Sequence, residues 1–185
     1  MKVKDVLTLA RELLGLPEEV QEGIEGGQTS SWVQQEVTML LQCFNAVEKE
    51  LAVDYLPLYN EDTIQTSTGS IFYSSLVHRP VRILGVRDAD GTSLKYTIFP
   101  EYLKTQSGEV CVRYTYMPED KHLLSISDYH LQASEYLIAY GMAVEYCLMR
   151  GRFEEANVWE KKYKQALKSA YKAYPSVVLR TRRWA

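Results

Sequence analysis

Few groups in this 185-residue chain could do chemistry. Histidine occurs at His78, His122 and His130, and cysteine at Cys43, Cys111 and Cys147. Ser127, Asp128 and His130 are the residue types of a nucleophile, an orienting acid and a base. A triad, however, needs side chains that converge, and near neighbours on one helical turn point apart. Helix capping accounts better for Ser127 and Asp128. The run Asp88-Ala89-Asp90-Gly91 reads as a turn and not as a metal site. No phosphate-cradling glycine loop, dinucleotide fingerprint, zinc-protease pair or calcium loop is present. Cys43, Cys147 and a histidine could meet in space, but no CxxC or comparable spacing calls for zinc. Each cysteine is flanked by apolar residues and reads as a buried, reduced thiol. The expectation is a protein without catalytic residues, metal or cofactor, and not an enzyme.

The charge balance excludes further classes. The formal net charge is −3, but residues 160–185 carry five Lys and three Arg against Glu160, while residues 1–159 carry thirteen basic and twenty-three acidic side chains. An acidic body with a basic end is unlike a general nucleic-acid binder, which presents a Lys/Arg stripe to phosphates. It suits a partner that receives the basic end as a tail. Fourteen tyrosines against four phenylalanines favour protein contacts, since tyrosine joins a large apolar face to a polar tip. The N-terminus, MKVKDVLTLARELLG, has neither an unbroken apolar run nor a small-residue cleavage site, so cytoplasmic synthesis is expected.

The elements that position these groups follow from periodicity. Tyr136–Met149, YLIAYGMAVEYCLM, has Glu145 as its one charge and anchors a helix expected from Ser127, as N-cap, to Arg150, about 35 Å long. It is too short for a membrane span, which takes about 20 apolar residues. A helix apolar nearly all round must be buried nearly all round, in the core or under neighbouring subunits. Gly151 ends it and makes a tight link to a last helix reaching about Tyr174, whose stripe is Ala156, Trp159, Tyr163, Ala166, Leu167 and Ala170. Upstream, Asp5–Leu14 is amphipathic through Val6, Leu9, Ala10, Leu13 and Leu14. A turn of helix fits Glu18–Glu22. Ser31 with Gln34 forms a capping box, and Val33, Val37, Leu40, Leu41, Phe44, Val47 and Leu51 carry that helix to Pro57, with Glu48 among its exposed acids.

Between Thr63 and Met117 the period changes to two. Val81–Arg87 leads into the turn at Asp88–Gly91, Leu94–Phe99 returns, and Glu109–Tyr116 alternates as EVCVRYTY, with weaker strands at Thr63–Gln65 and Ser70–Ser74. One antiparallel sheet of about four strands is expected. The fold class is therefore α+β and mainly helical. Residues 1–59 and 118–174 form an antiparallel helix bundle, 60–117 an inserted small β-sheet lobe, and 175–185 an extended C-terminal tail. A lobe of fifty-odd residues has a marginal core of its own.

The order of these elements carries a resemblance. An N-terminal helix precedes LLQCFNAVEKELAVDYLPL; the β insert contains HRPVRILGV and VRYTYMP. AYGMAVEYCLMRGRFEEANVWEKKYKQAL and a terminal RRW follow, with EYCLMRGRFEEA the most telling turn. Over most of its length, roughly Met1 to Ala185, the chain resembles the head-to-tail adaptor (connector, neck) proteins of tailed bacteriophages, most nearly the portal-binding adaptors of short-tailed phages. No single invariant site defines them. The resemblance implies a virion structural protein: a ring of about a dozen copies beneath the portal protein, touching the tail tube or nozzle below. Double-stranded DNA would pass through its lumen without specific binding, and no membrane is involved. It makes Leu179, Arg180, Thr181, Arg182, Arg183 and Trp184 the portal-docking arm. Tyr136, Tyr140, Tyr146 and Tyr163 become candidates for subunit contacts. The acidic body fits a conduit that must not grip its cargo, and head-to-side contacts would close the ring.

Three other readings stand beside it. The chain could be another neck or tail component, or a cytoplasmic binding module or regulator. It could also be a hydrolase using His130 with Asp128 or Glu135.

Overall fold

A computed structural model describes residues 1–129 and 132–173, with side chains to residue 171. Within them the chain is α+β, with five α-helices and two small antiparallel sheets. It divides into two compact units, one of Met1–Glu48 with Asp120 onward, the other of Lys49–Glu119. His130 and the arm from Leu179 to Trp184 lie outside the described residues.

In the first unit, α1 spans Val3–Leu14 and buries Val3, Val6, Leu7 and Ala10. That face is rotated from the expected one, because Leu7 is enclosed while Leu9, Leu13 and Leu14 are half-covered. The preceding chain fixes the helix: the Val3 amide donates to the Ser125 carbonyl at 3.1 Å, and the Ser127 amide to the Met1 carbonyl at 3.0 Å. α2 (Glu18–Glu25) is a full two-turn helix whose Glu18 and Glu19 oppose the dipole and whose Val20 and Ile24 are buried one turn apart. α3 (Ser31–Glu50) follows its apolar period through Val33, Val37, Leu40, Phe44 and Val47. Its expected capping box does not form, since the Gln34 side chain donates instead to the Thr29 carbonyl at 3.3 Å.

α4 spans Glu135–Met149, about 22 Å. It begins eight residues after Ser127, and Ser134 is the N-cap, its hydroxyl accepting from the Leu137 amide at 3.2 Å. The expected earlier start fails for a tertiary reason. Glu48 and Met1 hold the Ser127 hydroxyl and amide and the Asp128 amide, which a first helical turn would have used. Gly151, at φ 69°, closes α4 as expected. α5 (Phe153–Ala173) folds back antiparallel: Cys147 meets Glu155, and Tyr140 stacks on Trp159. Eight α4 residues are buried, but Tyr136, Tyr140, Val144 and Leu148, at i, i+4 spacing, stay half-covered or exposed. The burial is therefore less than all-round within one copy.

The second unit opens with a π-helical turn, Leu51–Tyr55, before Pro57. Its larger sheet places β6 (Gly108–Tyr116) between β1 (Leu58–Thr66) and β3 (Pro80–Asp88). Its smaller sheet runs β2 (Ser70–Phe72), β5 (Tyr102–Lys104), β4 (Thr97–Ile98). Six strands in two sheets thus replace the single sheet of about four. The turn forms as read: Gly91 takes φ 82°, and the Asp88 carboxylate accepts from the Asp90 and Thr92 amides. The return strand leaves β3 after the Leu94 amide bonds the Val86 carbonyl, and Thr97–Ile98 pairs with β5 instead. Both sheets share one core of Ile71, Leu76, Ile83, Val86, Leu103, Val110, Val112 and Tyr114.

Candidate functional site

The Ser127–Asp128 region is built as a polar cluster whose centre, Glu48 with Ser127, is buried and whose edge, Lys121 with Asp128, is partly exposed. Glu48, on the core face of α3 and 1% exposed, accepts from the Ser127 hydroxyl at 2.5 Å and from the Asp128 amide at 3.1 Å. The Ser127 oxygen in turn accepts from the Tyr129 amide at 3.0 Å. Lys121 pairs with Asp128 at 2.8 Å, and Asn45 grips the Lys121 backbone from both sides, at 2.7 and 3.2 Å. Burial, foremost, pushes the Glu48 carboxyl up, against the lowering pull of Ser127 and Lys121. Ser127 is itself 1% exposed and spends its proton on a carboxylate, so in this arrangement no substrate reaches it. The cluster ties a loop to a helix. Glu48, counted by its periodicity among the exposed acids, is instead the loop's anchor.

Two of the three thiols, Cys43 and Cys147, are buried as expected, whereas Cys111, in the central strand β6, is only half-covered. Cys43 lies 3.7 Å from the Met149 sulfur, and burial, then Glu145, raises its pKa to about 12. Cys147 is raised by burial and then by Glu155. Protonated thiols are poor nucleophiles and poor ligands. Among the described residues no three His, Cys, Asp or Glu side chains gather as a metal site, and no helix is long and apolar enough to cross a membrane.

The four tyrosines singled out for subunit contacts separate into two pairs. Tyr146 and Tyr163 are buried inside the first unit, which removes them from any surface a neighbour could touch. The Tyr146 hydroxyl donates to Glu36 at 2.8 Å, and Glu36 also pairs with Arg150. Tyr136, 54% exposed, and Tyr140 remain outside, with ring centroids 6.0 Å apart. Tyr140 stacks on Trp159 at 6.0 Å, and the Lys162 ammonium stands 4.4 Å over the indole. Leu148 and Met149 on α4 and Phe153 and Val158 on α5 are exposed as well, as are Trp32, Leu124 and Ile126 elsewhere in the unit.

A second polar network, in the β unit, has no sequence signal beyond an acid in an inward strand position. Asp62 accepts from the Tyr114 hydroxyl at 2.7 Å and from the Val77 amide at 2.8 Å. The Tyr114 oxygen accepts from Asn60 at 3.1 Å and from the His78 amide at 3.2 Å. His78 stacks on Tyr116 at 4.2 Å. Burial first, then the bond to Asp62, raises the Tyr114 pKa and keeps it a donor. Tyr114→Phe should cost about 2 kcal/mol in denaturant unfolding, since the Asp62 carboxylate loses a donor and two N–H groups lose an acceptor. An unchanged midpoint would mean that water replaces the hydroxyl. Compared with known proteins, the chain matches no family model and no curated protein.

Proposed function

We propose that this chain is a non-enzymatic virion structural protein, the subunit of a head-to-tail adaptor ring in a tailed bacteriophage. In this reading it is an antiparallel helix bundle with an inserted β lobe. About twelve copies sit below the portal protein, hold the tail tube or nozzle beneath, and pass double-stranded DNA through the lumen without gripping it. The observation that carries the reading is the uncovered apolar hairpin. Tyr136, Leu148, Met149, Phe153 and Val158, all large and apolar, are exposed on α4 and α5, where neighbouring copies in a ring would cover them. The resemblance in sequence order and the acidic body are consistent with it.

Mass photometry tests the proposal. The purified chain alone should be monomeric or weakly associated, and should form a discrete high-order ring on a matching purified portal. Deleting Ser176–Ala185, which removes Arg180, Arg182, Arg183 and Trp184, should abolish portal binding without moving the thermal midpoint. Arginine and tryptophan are the residues that most often hold interface energy. Full binding by the truncated chain would overturn the docking arm. A monomer or dimer indifferent to portals would favour the binding-module reading.

A further inference from the structure

The second unit holds a groove of about 500 Å³ between β3 and the segment after β4. It lies where the return strand leaves β3. From Pro80 to Leu84, β3 is bonded to β6 on one side and has no ladder partner on the other among the described residues. One wall carries Val81 and the other Ile98 and Phe99, all exposed. That second wall is held in place, because the Tyr73 hydroxyl donates to the Phe99 carbonyl at 2.8 Å and the Phe99 ring stacks on Tyr102 at 4.7 Å.

Arg79 and Arg82 line the same groove and no carboxylate does. Neither guanidinium has an ion pair, hydrogen bond or ring contact among the described residues. Three residues apart on a regular strand, they would face opposite ways. Here Pro80 pairs with Tyr116 and Arg82 with Thr115, so Val81 is the extra residue of a bulge; the Arg79 carbonyl accepts from the Met117 amide. Arg79 and Arg82 therefore stand opposite Met117 and Thr115, two residues apart, and share a face. A strand edge, apolar walls and two unpaired cations in one phase select a particular occupant.

We propose that this groove docks an extended segment of a protein partner in which carboxylates alternate with aliphatic or β-branched residues. The backbone would add to the β3 edge, the apolar side chains would meet Ile98 and Phe99, and carboxylates at i and i+2 would meet Arg79 and Arg82. Pro80 and the bulges interrupt the edge, which limits pairing to a short segment and guards against indiscriminate sheet growth. Two arginines between apolar walls make a poor phosphate track, so the groove suits peptide better than DNA. The inference does not depend on the adaptor reading.

Fluorescence anisotropy on the full chain tests it, with a labelled nonapeptide of alternating Val and Glu, its Val/Gln counterpart, and a labelled DNA duplex as probes. The Glu peptide should bind, more weakly as salt rises, and the Gln peptide about tenfold less tightly. Arg79→Glu/Arg82→Glu and, separately, Ile98→Asp should each weaken the Glu peptide about tenfold. All three positions are exposed, so unfolding midpoints should not move. Several outcomes would overturn the proposal: no binding at about 1 mM peptide, equal binding of Glu and Gln peptides, or binding untouched by either variant. So would duplex DNA bound in preference and lost with the arginines, or a change of oligomeric state in the charge-reversed variant, which would make a second copy the occupant.

Discussion

Gly141→Leu should lower the stability of this protein by roughly 3 kcal/mol or more, at the upper end of the cost of overpacking a core. Gly141 sits in the middle of α4, where glycine costs a helix up to about 1 kcal/mol relative to alanine. What it provides is close approach. A Cβ at this position would stand 2.8 and 3.0 Å from the two methyls of Val47 on α3 and 3.0 Å from the Tyr163 ring on α5. Valine turns stiffly about χ1, so those methyls cannot swing aside. Gly141→Ala should therefore lose stability despite its better helix propensity, by about 1 kcal/mol. Truncating the nearer obstacle isolates the mechanism: in a Val47→Ala background, Gly141→Ala should cost clearly less, the Tyr163 ring at 3.0 Å being the one close contact left. If the Gly141→Ala cost is the same in both backgrounds, the α3–α4 approach is looser than 2.8 Å implies.

Glu48→Ala should cost on the order of 3 kcal/mol, because two donors with little access to water, the Ser127 hydroxyl and the Asp128 amide, lose their acceptor together. Glu48→Gln keeps a carbonyl oxygen for both and should cost much less. The pair also fixes the sign of a pH effect. Burial, the largest influence, raises the folded Glu48 pKa above its ordinary 4.5, so the folded chain holds this proton more tightly than the unfolded chain. The associated stability is complete below the unfolded value and is lost as pH rises through the folded one. Wild-type protein should therefore lose ground to Glu48→Gln as pH rises above the ordinary 4.5 and through the raised folded value. Thermal midpoints of both proteins across that range give the answer. A constant difference would mean that Glu48 titrates at its ordinary value, with water reaching the carboxylate oxygen that has no hydrogen-bond partner.

Both residues sit where reading the sequence went least far. The period of α3 placed Val33, Val37, Leu40, Phe44 and Val47 inward, and the structure agrees, but it grouped Glu48 with the solvent-facing acids. A hydropathic pattern cannot show that a carboxylate on the inner side will be met by Ser127, 79 residues further on. That distant partnership also moved the start of α4. Local propensity favoured Ser127 as a cap, and Ser134 serves because Ser127 is already engaged. The tyrosines behaved alike: nothing in YLIAYGMAVEYCLM distinguishes Tyr146, which reaches Glu36, from Tyr136, which reaches solvent.

The sequence by itself determined what is local. Apolar spacing set the helices, alternation set the strands, and Gly91 and Gly151 set turns that need positive φ. The α+β class and the absence of recognisable catalytic motifs were also readable there. Tertiary structure alone decided which polar residues are buried, how the strands divide into two sheets, and where a strand edge is left uncovered. The physical reason is range. Period and turn chemistry are paid for within a few residues, whereas burial, strand partners and the pairing of a charge depend on chain segments brought together only by the fold.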